Sequence, residues 1–127
     1  MKIKILIVDD EPALLHAMRR DLSRIDSQYE LFFTTKGSEA SAIILDHEID
    51  LLITDLFMPE KEGIEIIREV KSNHPNVKII TMSGGGKLGG LDYLSMSRDL
   101  GSSYSLDKPF SETELANAIE YVMNLKP

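Results

Sequence analysis

The 127-residue chain contains no cysteine, which excludes a disulfide framework, a thiolate nucleophile and any sulfur-ligated metal. A metal would have to be held by oxygen or by the three histidines. His16, His47 and His74 stand on separate predicted helices or helix ends without ligand spacing, and read as structural or surface residues. No run of about eighteen uncharged apolar residues occurs, so no segment is long enough to cross a bilayer as a helix. The apolar start Ile3–Val8 is cut off by Asp9-Asp10-Glu11 too early for a signal peptide, and a cytoplasmic location is the expectation. Fourteen basic against 21 acidic residues give a net charge of −7. With no one-signed Lys/Arg stripe, direct nucleic-acid binding is not expected.

The remaining composition, 43% apolar and 28% charged, is that of a chain that folds. Its length suits one core, and residues 1–127 are read as a single domain. Short runs rich in Ile, Val and Leu at 4–9, 30–35, 50–55, 77–82 and 103–106 alternate with helical periodicity at about 12–25, 37–47, 62–73, 89–100 and 111–125. Pro12, Ser38, Pro75, Gly101 and Ser111 supply starts and stops. In the first helical stretch Leu15, Met18 and Leu22 share one face while Arg19, Arg20, Asp21 and Arg24 occupy the other. The alternation predicts an α/β fold, a flavodoxin-like (βα)5 doubly wound parallel sheet of strand order 2-1-3-4-5. In such sheets ligands bind outside the carboxyl ends of the strands.

Those ends carry Asp9-Asp10 after the first strand, Asp55 after the third, Ser83 after the fourth and Lys108 after the fifth. Three carboxylates brought together repel: each unit-charge pair at 4 Å is worth about 4 kcal/mol at an effective dielectric near 20. Lys108 supplies one positive charge, and a hard divalent cation with oxygen ligands suits the rest. Magnesium is the natural candidate, with manganese as the alternative ion. The set fits phosphoryl transfer, in which positioning and charge neutralisation supply most of the catalysis. Asp55 is the candidate nucleophile, because a carboxylate accepts a phosphoryl group as an acyl phosphate. Lys108 would pair with one phosphoryl oxygen and the Ser83 hydroxyl would donate to another.

Taken singly, each feature has a plainer explanation. Asp9-Asp10 before Pro12 suits a helix N-cap, Asp55 with Pro59 a turn, Lys108-Pro109 a solvated loop, and Ser83 a strand end. Four such features at four matching strand ends are poorly explained by coincidence.

The residues resemble the receiver domains of two-component response regulators from about Lys4 to Leu125. The resemblance is carried by Ile5-Leu6-Ile7-Val8-Asp9-Asp10-Glu11, by Asp55-Leu56-Phe57-Met58-Pro59 with Gly63 beyond, by Thr81-Met82-Ser83-Gly84, and by Lys108-Pro109-Phe110. It implies that Asp55 is the phosphoacceptor. It implies a metal held by Asp10, Asp55 and the backbone carbonyl of Phe57, with Asp9 acting mainly through water. Ser83 takes the hydroxyl position, small Gly84 leaves the phosphoryl site open, Lys108 senses the phosphate, and the peptide before Pro109 is often cis. The implied donor is a histidine kinase or a histidine phosphotransfer protein. The implied output is a protein partner bound through the fourth and fifth helices and the strand between them, with a phosphorylation-dependent homodimer as a further form. A stand-alone receiver is expected, a signalling phosphoacceptor and not an enzyme beyond its own phosphotransfer and dephosphorylation.

Three features depart from the family pattern. Ser105 stands three residues before the lysine, where an aromatic is frequent, and Tyr104 is displaced to the other sheet face. The segment from Ser83 to Gly101 is long and glycine-rich, which predicts a loop that orders on phosphorylation. Phe57 and Gly85 flank the path of the hydrolytic water, with opposite expected effects on the acyl phosphate.

Two rival readings remain. Gly84-Gly85-Gly86-Lys87-Leu88-Gly89, within the Gly84–Gly90 loop, satisfies the G-x-G-x-x-G dinucleotide fingerprint, but it follows the fourth strand and leaves no room for a second nucleotide-binding half. An aspartate-nucleophile phosphatase shares the carboxylates, hydroxyl, lysine and magnesium, but that class wants a second aspartate where this chain has Phe57.

Overall fold

The computed structural model describes residues 2–57, 63–84, the backbone of 87–88 and 91–92, residue 99, and 101–125. Five strands form one parallel sheet: β1 (Lys4–Val8), β2 (Glu30–Thr34), β3 (Leu51–Asp55), β4 (Lys78–Ser83) and β5 (Tyr104–Asp107), in the order β2-β1-β3-β4-β5. The predicted fold class and strand order are found. Helices α1 (Pro12–Ile25), α2 (Ala40–His47), α3 (Gly63–Asn73) and α4 (Glu112–Met123) cover it, with a 3-10 turn at Gly37–Glu39 leading into α2.

Strands β1 and β3 are buried at nearly every position because helices cover both faces. Alternate residues feed two cores. Ile5, Ile7, Ile53, Ile80 and Met82 meet Met18 and Leu22 of α1 and Leu115, Ile119 and Val122 of α4. Leu6, Val8, Leu52 and Ile79 meet Ala40 and Ile44 of α2 and Ile66, Ile67 and Val70 of α3.

The punctuation holds in part. Pro12 opens α1, where its missing N–H is not needed. Ser111 caps α4: its hydroxyl accepts the Glu114 N–H at 3.0 Å while Glu114 Oε1 accepts the Ser111 N–H at 3.1 Å. Ser111→Ala should therefore destabilise the protein by about 1 kcal/mol in urea unfolding, with α4 fraying first; an unchanged midpoint would show the cap to be dispensable. Gly101 takes φ 130°, a left-handed angle that favours glycine. Ser38, in contrast, lies within the 3-10 turn, and Glu39 precedes α2 without a side-chain cap.

The helix expected over 89–100 is corrected at its start. Leu91–Asp92 is extended and pairs antiparallel with Lys87–Leu88 in a two-stranded sheet. The intervening sequence is Gly-Gly, the weakest helix-forming pair short of proline. Asp99 is helical; the rest of that stretch lies outside the described residues, as do Met58, Pro59, Gly85, Gly86, Gly89 and Gly90.

Candidate functional site

Parallel strands in one register bring their carboxyl ends to one edge. Val8 pairs with Thr54, Asp55 with Met82, and Ser83 with Asp107, so the residues that follow β1 and β5 gather around the end of β3. Backbone bonds fix the edge further: Leu56 N–H donates to Met82 O at 3.0 Å and Lys108 N–H to Ser83 O at 2.8 Å. The Lys108–Pro109 peptide is cis, as the resemblance implied.

One carboxylate oxygen each from Asp9, Asp10 and Asp55 lies within 4.8 Å of the others. Asp9 is fully buried and Asp55 is 5% exposed, while Asp10 faces solvent. Lys108 Nζ donates to Asp9 Oδ2 at 2.6 Å and stands 3.6 Å from Asp55 Oδ1. Asp9 also accepts the Glu11 N–H through Oδ1 at 2.9 Å, which ties the first carboxylate to the start of α1. The N-cap of α1 is Glu11, with no side-chain cap hydrogen bond, so Asp9 does not cap the helix; it holds the turn just before the helix and serves the site with its other oxygen.

The charges are not balanced. Burial pushes the Asp55 carboxyl up from the ordinary 3.8 to about 6; Lys108 and the Phe57 N–H oppose this, and Asp9 and Asp10 add to it. Burial alone would lower the Lys108 ammonium, but the hydrogen bond to Asp9 and the charges of Asp55, Asp9 and Glu11 outweigh it and hold the lysine above its usual range. One lysine against three carboxylates leaves negative charge in excess, and every candidate ligand atom is a hard oxygen. That donor set fits magnesium or manganese and disfavours softer ions.

Ser83 is fully buried at the end of β4. A Cβ added to Gly84 would meet nothing within 4 Å among the described residues, so Gly84 borders open space beside Ser83. The Phe57 side chain packs against the core on the α2–α3 side. Tyr104 packs toward α4, its ring 5.6 Å from that of Tyr121, while Ser105 faces Thr81 on the other side of the sheet. The opposite facing of Tyr104 and Ser105 is as expected. His47 lies against Phe32 and His16 lines a cleft by Phe33, far from any shared ligand arrangement. Sequence reasoning missed Glu11, whose charge acts on Lys108, and a hydroxyl cluster of Thr81, Ser102 and Ser105. The signal for the latter was Thr81 two residues before Ser83 on one strand face. A groove of about 450 Å³ opens beside the site, lined by Glu11, Leu14, Met18, Gly84, Lys108 and Phe110 among others.

Known proteins share this arrangement of chain. The sequence matches the response regulator receiver domain over residues 5–120. It is 31% identical to sporulation initiation phosphotransferase F of Bacillus subtilis over 99% of this chain and 98% of that protein. It is 30% identical to the transcriptional regulatory protein MalR of the same organism, of which it spans 48%. Among solved structures, a response regulator receiver domain protein from Clostridium thermocellum superposes with a TM-score of 0.86 at 30% identity, covering 96% of this chain and 94% of that one. A CheY-like receiver domain protein from Methanospirillum hungatei does so with 0.84 at 26% identity, covering 95% of this chain and 93% of that one. With the acidic cluster at the predicted strand ends and the match running through nearly the whole sheet, the chain belongs to the receiver domain family of two-component response regulators.

Proposed function

We propose that this receiver takes a phosphoryl group on Asp55 from the phosphohistidine of a histidine kinase or a histidine phosphotransfer protein, in a magnesium-dependent reaction, and that the modification switches its protein contacts. The observation that carries this reading is Lys108 Nζ set between Asp9 and Asp55 in a cluster of three carboxylates. An Asp55 oxygen attacks phosphorus, the bond from phosphorus to the imidazole nitrogen breaks, and the nitrogen keeps the electron pair. Lys108 is placed to pair with a phosphoryl oxygen and the Ser83 hydroxyl to donate to another. Asp9, Asp10, Asp55 and the Phe57 carbonyl would hold the metal, which when bound neutralises the charge of the phosphoryl oxygens. The groove of Leu14, Met18 and Phe110 beside the site offers an apolar seat to the donor protein.

Chemistry ends with hydrolysis of the protein's own acyl phosphate. Phe57 stands where an aspartate-nucleophile phosphatase needs its acid/base, so turnover of phosphate esters is not expected. Output is read through β5 and α4, where Tyr121 is 54% exposed and packs on Tyr104 with the rings tilted; a shifted two-state equilibrium suffices for this.

Incubation with acetyl phosphate and magnesium should add one phosphoryl group, detected by intact mass, and chelation of the metal should stop it. Uptake at the same rate in excess chelator would overturn the metal dependence, and no uptake under either condition would overturn the acceptor role.

A further inference from the structure

The sheet face that carries Ser83 has an unusual feature one step down the strand. Thr81 is fully buried and Ser102 nearly so, in a region where apolar packing is the norm for a parallel sheet. Thr81 Oγ1 lies 3.0 Å from Ser105 Oγ, 3.2 Å from Ser102 Oγ and 3.3 Å from the Tyr104 carbonyl. Ser102 Oγ donates to that same carbonyl at 2.9 Å.

Each hydroxyl has one proton to donate and can also accept. Ser102 Oγ and Thr81 Oγ1 are both placed to donate to the Tyr104 carbonyl, and either partner can donate in the Thr81–Ser102 and Thr81–Ser105 contacts. The hydroxyls of Ser105, Thr81 and Ser102 thus form one connected cluster that ends on the Tyr104 carbonyl and links β5 to β4. Hydrogen bonds in such a cluster polarise one another, and a buried hydroxyl left without its partner is expensive.

The place where this cluster ties the two strands matters for the site. Thr81 pairs with Ser105, and two residues on Ser83 pairs with Asp107, immediately before Lys108. The Lys108 N–H donates to Ser83 O at 2.8 Å. Strand β5 is an edge strand held on one side by β4 alone, so its seating decides where Lys108 begins.

We infer that Thr81, Ser102 and Ser105 are positioning residues whose hydroxyl chain locks β5 to β4 and thereby sets Ser83 and Lys108 beside the carboxylate cluster. For the reaction at Asp55 the inference rests on the acceptor role proposed above; the seating of Lys108 can be measured without it. It also gives Ser105 a role that an aromatic at this position could not perform, because phenylalanine has no hydroxyl and that of tyrosine stands at the far end of the ring, away from Thr81 Oγ1.

The test uses Thr81→Val, which keeps the shape and removes the hydroxyl, Thr81→Ser, which restores it, and the milder Ser105→Ala. In the unphosphorylated protein, exchange of the Lys108 amide hydrogen should speed up about tenfold in Thr81→Val, the scale expected for a lost buried hydrogen bond, less in Ser105→Ala, and return toward wild type in Thr81→Ser. Exchange at Ile53 in the sheet centre should not change. Phosphorylation by acetyl phosphate should slow about tenfold in Thr81→Val, and the double variant Thr81→Val/Lys108→Ala should be no slower than Lys108→Ala alone. Unchanged Lys108 exchange, equal acceleration at Ile53, or a full multiplicative loss in the double variant would overturn the inference. If wild type takes no phosphate, the acceptor role fails while the amide exchange still decides the tether.

Discussion

Asp55→Asn should lose phosphate uptake and gain stability, two effects of opposite sign from one substitution. The loss follows from chemistry: an amide oxygen does not form the acyl phosphate, so mass analysis after acetyl phosphate treatment should show no modified protein where wild type is converted. The gain follows from electrostatics. Burial and the neighbouring acids raise the Asp55 carboxyl from 3.8 to about 6, so between those values the folded state binds more protons than the unfolded one. Wild-type stability therefore falls as pH rises through about 4 to 6, and above that window the full penalty is present. The neutral asparagine does not carry it. Without divalent metal at pH 7.5, Asp55→Asn should be more stable by about 1–2 kcal/mol, after allowing for solvent screening at the open mouth of the site. At pH 4 the two proteins should unfold alike. Equal stability at both pH values would mean that neither burial nor the neighbouring acids penalise the Asp55 carboxylate. A damaged fold would lower stability as well as uptake, so the joint result separates loss of the acceptor from loss of structure.

The same excess of charge explains why the site was legible in the sequence. Asp9, Asp10, Asp55, Ser83 and Lys108 stand directly at strand ends, and a parallel sheet collects strand ends on one edge whatever the details of packing. Once five apolar runs were recognised, the convergence followed. The strand bounds agree with the expected ranges to within about one residue because Ile, Val and Leu runs end abruptly at polar residues such as Asp9 and Ser83. Where the reading failed, local composition had competed with it. Leu88, Leu91 and Leu94 suggest helical spacing, yet the Gly89-Gly90 pair disfavours a helix start, and 91–92 pairs as a strand. The hydroxyl chain was invisible for another reason. Thr81, Ser102 and Ser105 are ordinary strand and loop residues, and their bonding depends on the register of β5 against β4, which only the structure supplies. Glu11 likewise reads as a helix-start acid until Lys108 is placed near it.

Gly63→Ala tests the other constraint at this edge, and here two known effects oppose each other. Alanine inside a helix is favoured over glycine by about 1 kcal/mol, and Gly63 opens α3 without a left-handed backbone angle. Propensity alone predicts a more stable protein. The structure predicts the reverse, because an added Cβ would press on the Asp55 carbonyl oxygen and would lie 2.6 Å from Leu56 Cα. Both neighbours are backbone. No side chain can swing aside, and the Gly63 N–H is itself bonded to Leu56 O at 3.0 Å, so relief requires α3 to lift from β3 or the end of β3 to shift. Overpacking typically costs about 1–3 kcal/mol, and contact with backbone puts this site at the upper end, which outweighs the propensity gain and leaves a net loss of about 2 kcal/mol. Gly84→Ala, whose Cβ would meet nothing within 4 Å among the described residues, is the matched control and should stay within about 0.5 kcal/mol of wild type. Urea unfolding of both variants measures the difference. Because the strained atoms belong to Asp55 and its successor, phosphorylation of the folded fraction of Gly63→Ala should also slow, whereas a variant as stable and as reactive as wild type would show that α3 yields freely and does not brace the acceptor.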